Sequence, residues 1–281
     1  MIQDIFPHHL INHFESGMEP LPDSFIIGWQ RGQMLMKVDR ENKTFTFPRY
    51  QDLKGTPEAV YLFTVDEDRF FLCQSPEVPE GFEYTNLRDV RRWNLEPRHQ
   101  VFAAFTALQL AEWYEKTAFC GRCGHPMLHH ETERARICPD CGNIVYPRIN
   151  PAVIVGVVNG DHLLLTRYRN GGVMNALVAG FTEIGETLEE TVSREVMEEA
   201  GVHVKNIRYY KSQPWGIASD ILAGFYCEVD GDPTIHMDDN ELKYAEWVKR
   251  EDIILQPADY SLTNEMMQRF RDGFDPFEDL R

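Results

Sequence analysis

Basic residues are scarce in this chain. Its 281 residues carry 28 Lys and Arg against 45 Asp and Glu, a formal net charge of −17. That deficit argues against a non-specific grip on nucleic acid, which depends on Lys and Arg neutralising phosphates. It also means that an anionic ligand has to be held by local basic groups and by metal. Long apolar runs are missing as well. The strongest, residues 153–158, is far too short to span a bilayer. The opening stretch, MIQDIFPHHLINHF, holds an early acid and a proline and no apolar core, so it does not read as a secretory signal. Cysteine is limited to six residues, and disulfides are not expected in such a chain. These absences predict a soluble cytoplasmic protein without a membrane partner. No repeat or low-complexity segment is visible, and the length predicts about two domains at roughly 100–200 residues each.

Carboxylates are abundant, and they crowd one place. Residues 180–202 read GFTEIGETLEETVSREVMEEAGV, with seven glutamates between Glu183 and Glu199 and Arg194 as the only base among them. An ordinary solvated helix intersperses lysines at i+4 to relieve such repulsion. Glu195, Glu198 and Glu199 stand at i, i+3 and i+4, on one helical face. Clustered carboxylates without local counter-charge suit hard divalent cations such as Mg2+, which take oxygen ligands. Gly180 and Gly185 bracket the preceding turn, and Gly201 is placed to end the helix. Glu186 and Arg194 are expected to form a charge pair bracing loop against helix.

Four of the cysteines form a second cluster: Cys120-x2-Cys123, fourteen residues, then Cys138-x2-Cys141. Paired CxxC motifs at this separation predict a tetrahedral four-cysteine Zn2+ site. Four thiolates leave no open coordination position, so the zinc is structural. Cys73 and Cys227 lie in apolar strand-like runs and read as core residues.

The cysteine cluster divides the chain. Residues 1–115 read as a mostly β domain with a connecting helix, with strands over 33–38, 44–47, 59–65 and 69–72 and the helix over 97–117. Residues 116–147 are the ribbon, and 148–281 alternate as α/β. Strands are predicted over 152–158 and 162–166, joined by a hairpin at Asn159-Gly160. Further strands are predicted over 204–212, 221–229 and 245–248, with helices over 187–200 and 261–270.

The spacing Gly180, five residues, Glu186, seven residues, then Arg194-Glu195-Val196-x-Glu198-Glu199-x-Gly201-Val202 resembles the Nudix box. That resemblance implies a Nudix α/β/α sandwich and hydrolysis of nucleoside diphosphates linked to another group. A four-cysteine ribbon directly upstream, behind a further N-terminal domain, is similar to the NADH pyrophosphatase subfamily. The subfamily also carries a motif approximately S-Q-P-W-P-F-P-x-S. Here Ser212-Gln213-Pro214-Trp215 matches, Gly216-Ile217-Ala218 replaces the central Pro-Phe-Pro, and Asp220 stands where the last serine falls.

The resemblance implies cleavage of NADH at its diphosphate, giving reduced nicotinamide mononucleotide and AMP, and in some members removal of NAD from the 5′ end of capped RNA. ADP-ribose or a dinucleoside polyphosphate is the alternative substrate that the altered motif keeps open. The resemblance adds the Gly180 carbonyl and Glu241 to Glu195, Glu198 and Glu199 as holders of Mg2+ or Mn2+, with one of the helix glutamates or Glu241 acting as base. It implies base stacking on Phe181 and Tyr146, substrate contacts from Gln213 and Trp215, and a homodimer. Stacking contributes about 1–3 kcal/mol per base. Arg167 and Arg169 are candidate phosphate contacts. Gly216-Ile217-Ala218 is expected to make a looser loop with a weaker grip on nicotinamide, since glycine costs more entropy to order than proline.

Overall fold

The computed structural model describes residues 1–169 and 174–280. The chain forms two units: Ile2–Arg148 with Trp215–Ser219, and Ile149–Pro214 with Asp220–Arg281 and Met1.

In the first unit the strands are β1 (Leu10–Ile11), β2 (Phe25–Gln30), β3 (Gln33–Asp39), β4 (Thr44–Thr46), β5 (Val60–Val65), β6 (Asp68–Gln74) and β7 (Glu83–Thr85). They form one sheet in the order β1-β5-β6-β2-β3-β4, with β7 on β3. The β2 strand, FIIGWQ, is absent from the sequence reading. It lies between β6 and β3, with its first five residues buried, so it lacks the alternation that marks a half-exposed strand. Stacked rings fill this sheet's core, with Phe25 and Phe70 5.0 Å apart and Phe63 and Phe70 5.1 Å apart.

Helix α1 (Leu87–Trp93) is also absent from the sequence reading, and α2 (Arg98–Lys116) matches it. Pro97 stands at the N-cap of α2, where its missing N–H costs nothing. Trp29 Nε1 donates to Glu115 Oε2 at 2.9 Å and so ties the sheet to this helix. The ribbon follows as three short strands, β8 (Leu128–His129), β9 (Arg136–Ile137) and β10 (Ile144–Val145), in the order β10-β9-β8.

In the second unit β11 (Asn150–Asn159) and β12 (His162–Tyr168) form the expected hairpin, with Asn159 paired to His162 and Gly160-Asp161 as its loop. They are followed by β13 (Val178–Phe181), α3 (Leu188–Ala200), β14 (Val204–Trp215), β15 (Asp220–Val229), β16 (Leu242–Lys249), α4 (Leu262–Arg271) and the short α5 (Pro276–Asp279). The sheet order is β14-β15-β11-β12-β16, with β13 antiparallel to β11 and β15 parallel to it.

Residue parity separates the two faces of this sheet. Val153, Val155, Val157, Ala223, Phe225 and Cys227 pack with Val192, Val196 and Ala200 of α3. Each of the buried valines contributes about 1.5–3 kcal/mol. On the other face Tyr226 donates its hydroxyl to the Met266 carbonyl of α4 at 2.7 Å, and a Cβ on Gly224 would stand 2.9 Å from Met266 Sδ. The result is helix, sheet, helix, as the Nudix resemblance implies.

The segment read as a loose recognition loop is a strand end and a tight turn. The Ala218 N–H bonds the Trp215 carbonyl and the Ser219 N–H bonds the Gly216 carbonyl, both at 3.3 Å. The Trp215 ring lies 5.7 Å from that of Phe105. A Cβ at Gly216 would stand 2.0 Å from the Phe105 carbonyl oxygen. Glycine is therefore there for close backbone approach, not for looseness, and proline could not be put back without moving α2. The expectation of a loose loop is corrected.

Candidate active site

Helix α3 is built locally. The Thr187 hydroxyl accepts from the Glu190 N–H at 3.2 Å, and the Glu190 carboxylate accepts from the Thr187 N–H at 2.7 Å, a reciprocal capping box. Gly201 ends the helix in the left-handed region, its N–H bonding the Met197 carbonyl. Val192 and Val196 bury against the sheet, which turns Glu195 and Glu198 toward the open side.

Arg194 organises the carboxylates. Its Nε and Nη2 grip Glu186 Oε1 and Oε2 at 2.6 and 2.9 Å, the expected charge pair in bidentate form. Nη2 also bonds the Phe181 carbonyl at 2.9 Å, and Nη1 bonds Glu195 Oε1 at 2.8 Å and Glu198 Oε2 at 3.0 Å. All five guanidinium N–H donors are thus used. The Arg194 bonds hold the Glu186 carboxyl down at about 2. Below that range the brace would be lost, and at neutral pH it is fully present.

Glu199 points the other way. It is 1% exposed, and the Tyr168 hydroxyl donates to its Oε1 at 2.8 Å. Burial pushes its carboxyl up to about 8, and burial also raises that of Glu195. Desolvation, together with the facing Glu199 charge, lifts the Tyr168 hydroxyl far above the ordinary phenol range. A desolvated carboxylate of this kind is stabilised by a cation. Gly180 supplies the space beside it. A Cβ there would lie 1.9 Å from Glu195 Cδ and 2.0 Å from Oε1. The carboxylate of Glu195 therefore sits where any other residue's side chain would begin.

Gly180, Phe181, Glu183, Glu195, Tyr168, Asn240 and Glu241 surround one cavity of about 560 Å³, floored by Ala152 and Leu222 and walled by Asp220. Among the described residues no lysine or arginine lines it. No three of the glutamates bring carboxylate oxygens within 4.8 Å of one another among the described residues. Their like charges stay apart around the cavity, with Arg194 between Glu195 and Glu198.

The four ribbon cysteines do converge. Cys120 and Cys141 Sγ are 3.7 Å apart, Cys123 and Cys138 3.4 Å, and Cys123 and Cys141 3.5 Å. A tetrahedral Zn–S bond of about 2.3 Å requires S–S edges of about 3.8 Å. The two halves repeat one pattern: the Cys120 N–H bonds the His125 carbonyl and the Gly124 N–H the Cys120 carbonyl, while the Cys138 N–H bonds Asn143 and the Gly142 N–H bonds Cys138. None of the six cysteines is in a disulfide, and Cys73 and Cys227 are buried in core clusters.

Comparison with known proteins places this arrangement. The NUDIX domain family matches residues 148–270, and the NADH pyrophosphatase zinc ribbon domain matches residues 115–146. The NAD-capped RNA hydrolase NudC of Klebsiella pneumoniae is 42% identical over 200 residues, covering 67% of this chain and 77% of that protein. The chain belongs to the Nudix family, in the branch with an NADH pyrophosphatase zinc ribbon. The NAD-capped RNA hydrolase NudC of Citrobacter koseri is 42% identical over 164 residues, 57% of this chain and 63% of the relative, so the match spans less than two thirds of that protein's length. A NUDIX hydrolase structure from Nitrosomonas europaea aligns with TM-score 0.48 at 22% identity, over 55% of this chain and 90% of that one.

Within the Nudix domain, the fold brings Gly180, Phe181, Glu195 and Glu241 to one cavity, with Glu199 behind it on Tyr168 and Glu198 beside it on Arg194. The Phe181 side chain is half exposed. Gln213 is placed elsewhere. It is fully buried, its Nε2 donating to the Tyr260 carbonyl and its Oε1 accepting from the Leu262 N–H, both at 2.7 Å, so it holds the start of α4. Tyr146 and Trp215 belong to the other unit, and the Tyr146 hydroxyl donates to Glu133 at 2.9 Å. The two candidate phosphate arginines are engaged by protein: Arg167 Nε bonds Asn175 and Arg169 Nε bonds the Asp239 carbonyl.

Sequence reasoning missed Tyr168, which sits between those two arginines and which no spacing rule singles out. It noted Asp220 only as a departure from a motif.

Proposed function

We propose that this chain hydrolyses the diphosphate of NADH and NAD+, giving a nicotinamide mononucleotide and AMP, and acts on NAD-capped RNA as the names of its NudC relatives state. The observation that carries the reading is the cavity in which Phe181, Gly180, Glu195 and Glu241 face one space large enough for a nucleotide half. Glu195, Glu198, Glu199, Glu241 and the Gly180 carbonyl would hold Mg2+ or Mn2+. Their oxygen donors fit a hard cation, and the desolvated Glu199 carboxyl gains most from one. Such ions, when bound, neutralise diphosphate charge and acidify an attacking water. Arg194 fixes the rotamers of Glu195 and Glu198, and Tyr168 fixes Glu199. Phe181 offers a flat face to a base. One of the helix glutamates or Glu241 takes the proton of the attacking water.

The test is a panel of NADH, NAD+, ADP-ribose, diadenosine polyphosphates and NAD-capped RNA with Mg2+ or Mn2+, with products separated by chromatography. Cleavage of NAD(H) to a mononucleotide and AMP is expected. Turnover of another diphosphate with none of NAD(H) would leave only the general hydrolase.

The ribbon is proposed to bind one structural Zn2+ per chain through Cys120, Cys123, Cys138 and Cys141. Metal binding supplies folding energy to a segment with little apolar core of its own. Cys138→Ser is expected to lose the zinc and lower the thermal midpoint by roughly 5 °C or more. Metal analysis finding no zinc in protein purified without chelators would count against the assignment.

A homodimer is proposed from the family resemblance alone. Sedimentation at micromolar concentration should show a two-chain species, and a fully active monomer would reject it.

Among the described residues no helix is long and apolar enough to cross a membrane.

A further inference from the structure

Two acids on the cavity wall stand outside the proposed ion-binding set, the exposed Glu183 and the buried Asp220. Asp220 is 6% exposed and opens β15, paired in register with Asn150 of β11. Among the described residues its carboxylate accepts one long hydrogen bond, from Asn150 Nδ2 at 3.5 Å. A buried carboxylate is unfavourable unless it is paired, and desolvation pushes this one up to about 6. Among the described residues the cavity lining supplies no lysine or arginine to pair with it.

Sheet geometry sets Asp220 diagonally across the same face from Phe181. Phe181 pairs with Ala152, and Ala152 pairs with Leu222. Asp220 precedes Leu222 by two residues and so faces the same side. Adjacent strands are about 4.8 Å apart and each residue advances about 3.3 Å, so Leu222 stands roughly 10 Å across from Phe181, beyond Ala152, and Asp220 lies on the diagonal at about 12 Å. That spacing leaves a floor on which a flat ring can lie between an aromatic face and a carboxylate. Both groups favour one kind of ring. Aromatic faces attract cations through their quadrupole, and a desolvated carboxylate attracts them by charge.

We propose that Asp220 makes this cavity select a cationic ring, favouring the positively charged pyridinium of NAD+ over the neutral dihydropyridine of NADH. The inference rests on the NAD(H) reading above. The serine of the subfamily motif would offer a hydrogen bond at this position but no charge. In this chain the redox state of the substrate would therefore be read electrostatically. The contact lies away from the diphosphate and acts on binding, so its loss should appear in KM more than in kcat.

The experiment compares kcat/KM for NAD+, NADH and ADP-ribose in the wild type, Asp220→Asn and Asp220→Ser, with thermal midpoints to verify folding. The NAD+/NADH ratio is expected to fall about tenfold in both variants, carried by KM for NAD+, while the NADH/ADP-ribose ratio holds. Calorimetric titration of each folded protein with oxidised and reduced nicotinamide mononucleotide should show the same differential loss without turnover. An unchanged NAD+/NADH ratio overturns the inference. So does an equal loss for all three substrates, which would make Asp220 structural or put the adenine end in the cavity. If the wild type cleaves ADP-ribose but neither NAD+ nor NADH, the proposed activity itself fails. That outcome is distinct from cleavage of both with an insensitive ratio.

Discussion

Glu198→Gln should lower kcat by on the order of 10²–10³ while leaving the fold intact. The side chain is mostly exposed, and it accepts a hydrogen bond from Arg194 Nη1 at 3.0 Å. Glutamine keeps the size and an oxygen to accept that bond, so packing and the Arg194 network survive. Only the charge is lost, and charge is what a hard cation requires of its ligand. The variant should therefore show an unchanged thermal midpoint, an unchanged zinc content and a raised Mg2+ requirement. EDTA should stop the wild-type reaction, and Mg2+ or Mn2+ should restore it. Near-normal turnover in the purified variant would sink the assigned ion site.

Gly180→Ala should be nearly as damaging to activity, by a steric route. The added methyl would stand 1.9 Å from Glu195 Cδ, far inside contact distance. What it meets is the end of a flexible side chain, not backbone, so the sheet need not move. The carboxylate must move instead, and its bond to Arg194 Nη1 with it. A displacement of about 1 Å in a positioned group can cost on the order of 10² in rate. We expect a loss of that order in kcat/KM with a destabilisation of no more than about 1–3 kcal/mol, the usual range for one added methylene in a packed site. Measured together, denaturant unfolding and kinetics separate the two effects. A variant that is strongly unfolded, or one that is fully active, would contradict the view that Gly180 exists to admit Glu195.

Asp220 illustrates how part of the site escaped the sequence reading. As a letter it was a departure at the end of a half-matching motif. Its meaning depends on β11 and β15 pairing in parallel, which puts it beside Asn150 and two rows from Phe181. Tyr168 escaped in a different way. Its hydroxyl matters only because β12 passes behind α3, where Glu199 is buried. Gln213 was misjudged for the same reason in reverse: a motif residue turned out to be bonded at both ends to the start of α4.

Local chemistry determined a good deal without the fold. Periodicity and capping located α3 to within one residue, because a capping box and a C-terminal glycine act within a single turn. The Glu186–Arg194 pair and the cysteine cluster were likewise legible, since their partners lie within about twenty residues on elements whose geometry is local. Three things were decided by tertiary structure alone. The central strand β2 lacks alternation because both its faces are buried. Gly216 is dictated by the Phe105 carbonyl, more than a hundred positions away in the chain. The carboxyls of Glu199 and Asp220 are raised by desolvation, which exists only once distant strands have closed over them.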